Sequence, residues 1–325
     1  MAPLMSFPEL KRIQALLPLA EKFARVEILG TVHSKGKDLP IYAFVIGSEN
    51  KSHPTLGLFG GVHGLENVGT HVLTAYLESL FEQMLWDKDL RERMKNSRIV
   101  AIPIVNPGGM MVGSRSNPNG VDLMRNSPIQ AIVSPLPIVG GHRISPRLPY
   151  FRGAQDSPME LESLALVKFV RDEMFESEAS LALDLHSGFG AIDRLWYPYA
   201  KTTEAFPRME ETLAISDLLT RSFPNHVYKV EPQSLSYTTH GDLWDFLFDE
   251  HHANQGGKGK GTPFIPWTLE MGSWLWIRKN PAQLFNPLGV FNPIKQHRLR
   301  RTLRRHLPLL DFFLRAVKHH ESWRK

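Results

Sequence analysis

The sequence contains no cysteine among its 325 residues. Disulfide bonds and thiolate metal ligands are therefore excluded, so any metal site must be built from histidine and carboxylate side chains. No apolar run is long enough to span a bilayer. The N-terminal residues also lack the apolar segment and small-residue cleavage site of a secretory leader. These absences predict a protein without a membrane span that resides in the cytoplasm.

Internal repeats, low-complexity segments and Gly/Ser linkers are also missing. With 42% hydrophobic and 22% charged residues, the composition is that of a soluble globular protein rather than a disordered or fibrous one. Because no shift in composition divides the chain, we predict a single domain over residues 1–325.

Apolar runs bounded by turn residues alternate with segments of helical periodicity. This alternation predicts an α/β fold with a mixed, largely parallel central sheet and helices on both faces. Predicted strands are 25–31, 41–46, 55–59, 98–105, 181–185, 226–230 and 264–269, and predicted helices are 68–83, 158–175, 203–222, 243–251 and 296–317. Ser157 and Glu160 form the expected capping box of the second helix. The Pro- and Gly-rich stretch 127–155 has no period, and we expect it to form a rim beside the functional site.

Two segments that end predicted strands carry residue types suited to metal binding. His63 and Glu66 follow the strand TLGLF across paired glycines, so one turn can present an imidazole and a carboxylate to the same ion. His186 ends the apolar strand of SLALDLHSGFG. Taken singly, Glu66 is also explained as a charge at a helix N-terminus and His186 as a structural histidine. Together they fill three zinc positions and leave the fourth for water, as hydrolytic zinc requires.

Glu270 ends a further strand, in PFIPWTLEMGSW. A carboxylate beside the attacking water can take its proton and pass it to the leaving group. The apolar neighbours argue against a solvated surface glutamate, because burying an unpaired carboxylate is costly. The intervening loop supplies Arg115, Asp122 and Arg125. Arginine can bind an oxyanion or a carboxylate, and the aspartate can fix the tautomer of a ligand histidine, although such loop residues are more often simply solvated.

The order of the segments HxxE, NPGG, GVDLMRN, DLHS and TLE resembles that of the zinc carboxypeptidase family, and the resemblance covers most of the chain. It implies a central mixed sheet of about eight strands and one zinc ion per chain at the carboxyl edge of that sheet. It further implies that His63, Glu66 and His186 bind the zinc and that Glu270 is the general base and acid.

The resemblance also implies roles for the residues around the metal. Arg115 would stabilise the tetrahedral oxyanion, Asp122 would orient the first ligand histidine, and Arg125 would face the terminal carboxylate of the substrate. Asn126 and Ser187 are predicted to contact the substrate as well.

The sequence departs from the family pattern at two places that concern the substrate. Met124 stands where the family usually has the asparagine that helps to hold the terminal carboxylate, and a thioether is a poor hydrogen-bond partner. In the segment HGDLWDFLFDEH, Phe246 and Phe248 stand near the position where digestive relatives place a mobile tyrosine. We therefore predict Phe248 and Met124 as substrate contacts, and Tyr237 is judged to come too early in the chain.

The predicted activity is zinc-dependent hydrolysis of a peptide or amide bond by a metal-activated water, acting on a peptide or acyl-amino-acid substrate. The alternatives on the same fold are an N-acyl amino acid deacylase, a peptidoglycan stem-peptide amidase, or a noncatalytic binding module. The complete set of ligands and base argues against the last of these.

Basic residues are concentrated near the C-terminus, where KQHRLRRTLRRH precedes LPLLDFFL in a chain of formal net charge +5. This predicts a basic amphipathic helix at about 295–318 that docks its apolar face on the core. No nucleic-acid partner is expected, and binding of the helix to nucleic acid or anionic lipid is the alternative. The pair His251 and His252 is predicted to lie in a solvated loop, with a second metal site as the alternative. The sequence makes no prediction of oligomeric state.

Overall fold

A computed structural model describes residues 7–257 and 261–324. Within these residues eight strands form one sheet, and nine α-helices surround it. The strands are β1 (Ala24–Ser34), β2 (Lys37–Gly47), β3 (Thr55–Gly60), β4 (Arg98–Ile102), β5 (Ser180–Ser187), β6 (Arg194–Tyr197), β7 (Lys229–Pro232) and β8 (Phe264–Met271). The helices are α1 (Pro8–Ala20), α2 (Asn67–Trp86), α3 (Lys88–Met94), α4 (Pro107–Val112), α5 (Leu161–Met174), α6 (Met209–Ser222), α7 (Leu243–Asn254), α8 (Trp274–Lys279) and α9 (Gln296–Lys318).

The sheet has the strand order β1-β2-β4-β3-β5-β8-β6-β7. Its four central strands, β4, β3, β5 and β8, run parallel to one another, whereas β1, β2 and the β6–β8 pair introduce antiparallel neighbours. Every residue of β3, β4 and β5 is buried, as expected for parallel strands covered on both faces. The predicted mixed α/β sheet is confirmed.

Helices cover both faces of the sheet. Phe59 of β3 packs against Trp244 of α7, with ring centroids 4.9 Å apart. Trp267 of β8 packs against Phe313 of α9 at 5.7 Å. Trp267 lies in register with Leu58, one position away from Phe59, so its side chain points to the opposite face. The sheet is therefore sandwiched between a layer that contains α7 and a layer that contains α9.

Several predicted boundaries differ from the structure for local reasons. β6 was not predicted, because a four-residue strand gives too little alternation to detect. The helix expected from 158 begins at Leu161, and its N-cap is Glu160 without a side-chain cap. The predicted capping box is therefore wrong: the Ser157 hydroxyl donates instead to the Ala154 carbonyl. The strand expected at 226–230 is β7, which begins only at Lys229.

The predicted basic amphipathic helix is α9, which spans 23 residues. Its second half buries Leu309, Leu310, Phe313 and Val317 in the core, and its first half exposes arginines. Within residues 7–257 and 261–324, no helix combines the length and the apolar character needed to cross a membrane.

Candidate active site and metal centre

The carboxyl ends of β3, β5 and β8 lie side by side and bring the predicted ligands and base together. His186 at the end of β5 is directly paired with Glu270 on β8, so both side chains project from the same face of the sheet. After β3 the chain turns through Gly61, whose φ of +64° is in the left-handed region that glycine adopts without strain. That turn places His63 beside the same edge.

His63, Glu66 and His186 form a buried cluster in which one ligand atom from each lies within 4.8 Å of the others. Glu66 occupies the centre: its Oε1 is 2.9 Å from His63 Nδ1, and its Oε2 is 3.1 Å from His186 Nδ1. The backbone N–H of Ser187 also donates to Glu66 Oε2. The fold therefore brings together the three side chains that the HxxE and DLHS segments predicted as metal ligands.

A carboxylate holds the outer nitrogen of each histidine. His63 Nε2 lies 3.1 Å from Asp122 Oδ1, and His186 Nε2 lies 2.8 Å from Asp184 Oδ2. Each Nε2 can donate to its carboxylate, which would leave each Nδ1 to present a lone pair to a metal ion bound in the cluster. Trp244 Nε1 fixes Asp184 in turn at 2.9 Å.

Sequence reasoning proposed Asp122 for this role and missed Asp184. The signal was present in the sequence, because residues two apart on a strand point to the same side. In DLHS this rule places Asp184 beside His186.

The charges of the cluster are strongly coupled. Burial alone would raise the pKa of Glu66, but His63 and His186 together hold it well below its usual value. Burial would likewise lower the pKa of His186, and the carboxylates of Asp184 and Glu66 raise it well above its usual value instead. The electrostatic environment between these three side chains therefore favours a positive charge.

This donor set fits a zinc ion. Two imidazole nitrogens and one carboxylate, each imidazole backed by a second carboxylate, are the ligands and supporting groups of hydrolytic zinc sites. Glu66 is almost completely buried, and a divalent ion between the three side chains would supply the positive charge that keeps it ionised when both imidazoles are neutral.

Glu270 borders the same cleft and is 6% exposed. Its Oε1 accepts a hydrogen bond from the Phe189 backbone N–H at 2.9 Å. Burial, followed by the nearby charge of Glu66, raises the pKa of Glu270 to about 8. A carboxyl group with a pKa raised in this way can both accept and return a proton near neutral pH.

Asp122 accepts hydrogen bonds from both predicted arginines. Its Oδ2 accepts from Arg115 Nε at 2.9 Å and from Arg125 Nη1 at 3.0 Å. Arg115 Nη1 also lies 3.4 Å from Glu66 Oε1, next to the cluster. Arg125 Nε donates to the Val139 carbonyl of the rim. Both guanidinium groups line the cleft, so the loop arginines are held in fixed positions and are not merely solvated.

Tyr150, which sequence reasoning did not single out, lies between the two arginines. Its ring centroid is 4.9 Å from the Cζ atom of Arg115 and 4.8 Å from that of Arg125. The residue has a φ of +70°, which is unfavourable for a tyrosine and marks a conformation imposed by its surroundings. Leu136 and Val139 border the cleft with it, so the stretch 127–155 forms the rim that the sequence predicted.

Other substrate predictions are revised by the structure. Met124 and Ser187, both predicted as substrate contacts, border the cleft of about 350 Å³. Phe248 does not, because α7 turns it into the core, where its ring packs 4.4 Å from that of Phe206. The side chain of Asn126 is also turned away from the cleft, since it donates to the Arg152 carbonyl and accepts from the Glu160 N–H. Tyr237, set aside as too early, borders the cleft from the loop that precedes α7.

His251 and His252 lie on α7 rather than in a solvated loop. His251 is buried against Phe175 and Phe264, and His252 stacks on Phe248. In residues 7–257 and 261–324, the cluster of His63, Glu66 and His186 is the one group of three such side chains close enough to hold a metal ion.

Sequence comparisons agree with this arrangement. Residues 18–271 match the zinc carboxypeptidase family. Carboxypeptidase D of Mus musculus is 26% identical over 162 residues, which are 47% of this chain and 10% of that protein. Carboxypeptidase SOL1 of Arabidopsis thaliana is 24% identical over 120 residues, 36% of this chain and 24% of that protein. The matched parts are therefore a small fraction of these relatives.

Structural comparisons concern the fold. The structure of bovine thrombin-activatable fibrinolysis inhibitor in complex with tick carboxypeptidase inhibitor superposes with a TM-score of 0.67 at 16% identity, covering 97% of this chain and 99% of that one. Carboxypeptidase A of Helicoverpa armigera gives a TM-score of 0.58 at 18% identity, covering 91% and 72%. At these identities the likeness shows a shared architecture.

Proposed function

Because the chain belongs to the zinc carboxypeptidase family, we propose that it is a zinc-dependent hydrolase that cleaves peptide or amide bonds. One observation carries the proposal: His63, Glu66 and His186 converge at one wall of a cleft that Glu270 and Arg115 also line. A cation site, a carboxyl group and a guanidinium around one cavity are the parts that hydrolysis of an amide requires.

The zinc ion would be held by Nδ1 of His63, a carboxylate oxygen of Glu66 and Nδ1 of His186. When bound, zinc supplies a Lewis acid that polarises the amide carbonyl and makes a water molecule more acidic. Glu270 accepts the proton of the attacking water at a carboxylate oxygen and then returns it to the leaving nitrogen. Arg115 donates to the carbonyl oxygen as negative charge develops there.

Arg125 and Met124 define the part of the cleft that would face a substrate carboxylate. The Nε and Nη1 atoms of Arg125 are taken by Val139 and Asp122, which fixes the plane of the guanidinium. Met124 contributes apolar surface and no donor there. We propose that Arg125 alone holds the carboxylate of a peptide with a free C-terminus. The deacylase and stem-peptide amidase activities belong in the substrate panel, since they too require an amide beside a carboxylate.

The decisive experiment is the substitution Glu270→Gln. Glutamine keeps the shape and can still accept from the Phe189 N–H, but it cannot take a proton. Turnover of a peptide library should fall by roughly 100-fold to 10,000-fold, whereas zinc content measured by plasma mass spectrometry should stay at the wild-type value.

Glu162→Gln is the matched control, because Glu162 is an equally buried glutamate that does not border the cleft. It should leave both turnover and zinc content unchanged. Full turnover by the Glu270→Gln protein would refute the proposed mechanism. No zinc in the wild-type protein, even after zinc is supplied, would refute the metal site.

Three finer statements belong to the same proposal. We propose one zinc ion per chain, lost in a His63→Ala/His186→Ala variant. We also propose that residues 1–325 form a single domain. The cytoplasmic location stays a prediction from the sequence.

A further inference from the structure

The residues between Glu270 and Asp311 have an unusual charge distribution. This stretch of 40 residues contains eight Lys and Arg residues and no Asp or Glu. Since the formal net charge of the whole chain is only +5, the remainder of the chain is net acidic. The excess of positive over negative charge thus comes from α8, the first half of α9 and the segment that joins them.

Most of these cations have no acidic partner in the described part of the chain. Arg305 pairs with Asp193 at 2.9 Å, whereas Arg300, Arg301 and Arg304 form no ion pair with any described residue. All three are exposed, one to two turns from the start of α9. Their charge is therefore available to a partner outside the chain.

Large apolar side chains are exposed in the same segment. Phe285 is 91% exposed, and its neighbour Leu284 is 58% exposed. Trp274 is also 58% exposed, although its indole N–H donates to the Gly188 carbonyl. Solvent-exposed phenylalanine, leucine and tryptophan close together in one segment indicate an interaction surface.

Arg298 joins the basic and the apolar parts. Its Nη1 donates to the Trp276 carbonyl and to Gln283 Oε1, and its Nη2 donates to the Lys279 carbonyl. These contacts hold the first turn of α9 against α8 and against the residue that precedes Leu284. Arg298 therefore links the start of α9, which carries the unpaired arginines, to the segment that carries the exposed apolar side chains. The exposed residues of 274–304 are called below the basic surface.

We propose that the basic surface binds anionic lipid bilayers. Arginine and lysine next to a negatively charged membrane each contribute favourably, and exposed Trp, Phe and Leu insert at the boundary between headgroups and acyl chains. Nucleic acid would bind the cations through its phosphates and could stack its bases on aromatic rings. An exposed leucine such as Leu284 makes neither kind of contact. The mixture of cations with aliphatic and aromatic side chains therefore favours lipid.

The basic surface borders the cleft. Trp274 is bonded to Gly188, and the Ser187 hydroxyl donates to the Phe291 carbonyl; Ser187, Gly188 and Phe291 all line the cleft. Lipid binding through this surface would place the cleft next to the membrane, where surface-bound substrates are concentrated.

The test is cosedimentation of the full-length, zinc-loaded protein with vesicles. Wild type should bind vesicles that contain phosphatidylglycerol and not vesicles of phosphatidylcholine alone. The variant Arg300→Glu/Arg301→Glu/Arg304→Glu should lose at least about 100-fold in partition coefficient, because each cation near an anionic bilayer is worth roughly fivefold. The control Lys88→Glu/Arg147→Glu/Lys168→Glu changes the net charge equally at exposed sites elsewhere and should bind nearly as wild type does.

The apolar contribution is tested separately. Leu284→Ser/Phe285→Ser should weaken vesicle binding, whereas Leu164→Ser/Leu213→Ser, at exposed leucines of α5 and α6, should not. None of these residues lines the cleft, so hydrolysis of a soluble peptide and zinc content report that each variant is folded. Vesicle binding is read out without any activity, so its failure and a failure of the proposed hydrolase function are separate results.

Three outcomes would overturn the proposal: no binding to anionic vesicles at low ionic strength, equal binding to phosphatidylcholine alone, or equal loss in the control charge variant. Binding to a single-stranded oligonucleotide that depends on the three arginines but not on Leu284 and Phe285, with no vesicle binding, would assign the surface to nucleic acid instead.

Discussion

Tyr150 shows how a single side chain can organise a binding site. The ring faces two guanidinium groups that would otherwise repel each other across the cleft. Each cation–π contact is worth roughly 0.5–2 kcal/mol. The residue also adopts a left-handed backbone conformation, which costs about 1–3 kcal/mol for a non-glycine residue. The contacts and the strain are of similar size, so the ring adds little net stability, which points to a role in positioning Arg115 and Arg125.

The substitution Tyr150→Gly separates the two effects. Thermal stability should be retained or increased, because glycine relieves the backbone strain, while kcat/KM on the best substrate falls by about tenfold. Tyr150→Phe keeps the ring and should retain most of the activity. If Tyr150→Gly lowered stability and activity together and Tyr150→Phe did the same, the tyrosine would be structural only.

Asp184 supports the candidate metal site through its hydrogen bond with His186. Its carboxylate holds His186 Nε2 and so orients Nδ1 toward the proposed metal position beside Glu66. We expect Asp184→Asn to weaken zinc affinity by about 10-fold to 100-fold, measured by competition with a chromogenic chelator. Asp249→Asn, an exchange on α7 away from the cluster, is the control. Equal zinc affinity in the Asp184→Asn protein would show that the tautomer of His186 is set in another way.

At the scale of secondary-structure elements, α9 is tied to the sheet through a buried histidine. His306 is 1% exposed, and its Nδ1 lies 3.0 Å from the hydroxyl of Tyr228. Burial, reinforced by the charge of Arg305 and opposed by Asp193, lowers the pKa of His306 to about 4. The fold therefore requires the neutral imidazole.

This pKa predicts how stability depends on pH. Between about pH 6.5 and pH 4 the unfolded chain binds a proton that folded His306 does not, so stability falls as the pH is lowered through that window. The loss attributable to this group is on the order of 3 kcal/mol. In urea unfolding at pH 7 and pH 4.5, His306→Asn should show a smaller loss than wild type, whereas exposed His297→Asn should match wild type. If His306→Asn lost as much unfolding free energy between pH 7 and pH 4.5 as wild type does, the pH dependence would not come from His306.

The elements also show what the sequence could predict. The central strands were found because complete burial produces unbroken apolar runs such as LGLF and LALDL, and the residues that follow these runs led to His63 and His186 as proposed ligands. Phe248 was misjudged because a spacing along the chain does not say which face of a helix a residue occupies. Tyr237 and Tyr150 were missed because loops carry no periodicity, and only the tertiary contacts bring them to the cleft.

At the scale of the whole molecule, zinc should stabilise the fold. The cluster joins β5 to the turn after β3, and a ligand that binds only the folded state adds about 4 kcal/mol at a concentration 1,000 times its dissociation constant. Removing the metal with a chelator should therefore lower the melting temperature, and zinc should restore it. The His63→Ala/His186→Ala variant should melt at one temperature with and without chelator. A chelator-induced shift that persisted in that variant would place the stabilising ion elsewhere.

The position of β8 in the sheet has a consequence for how the protein is made. Although it is the last of the described strands in chain order, β8 lies between β5 and β6 and carries Glu270. On the ribosome, β5 and β6 emerge before β8, the strand that must insert between them, so Glu270 is made after His63, Glu66 and His186. A nascent chain can thus bring His63, Glu66 and His186 together, but the cleft gains Glu270, the proposed general base, only after β8 has been inserted.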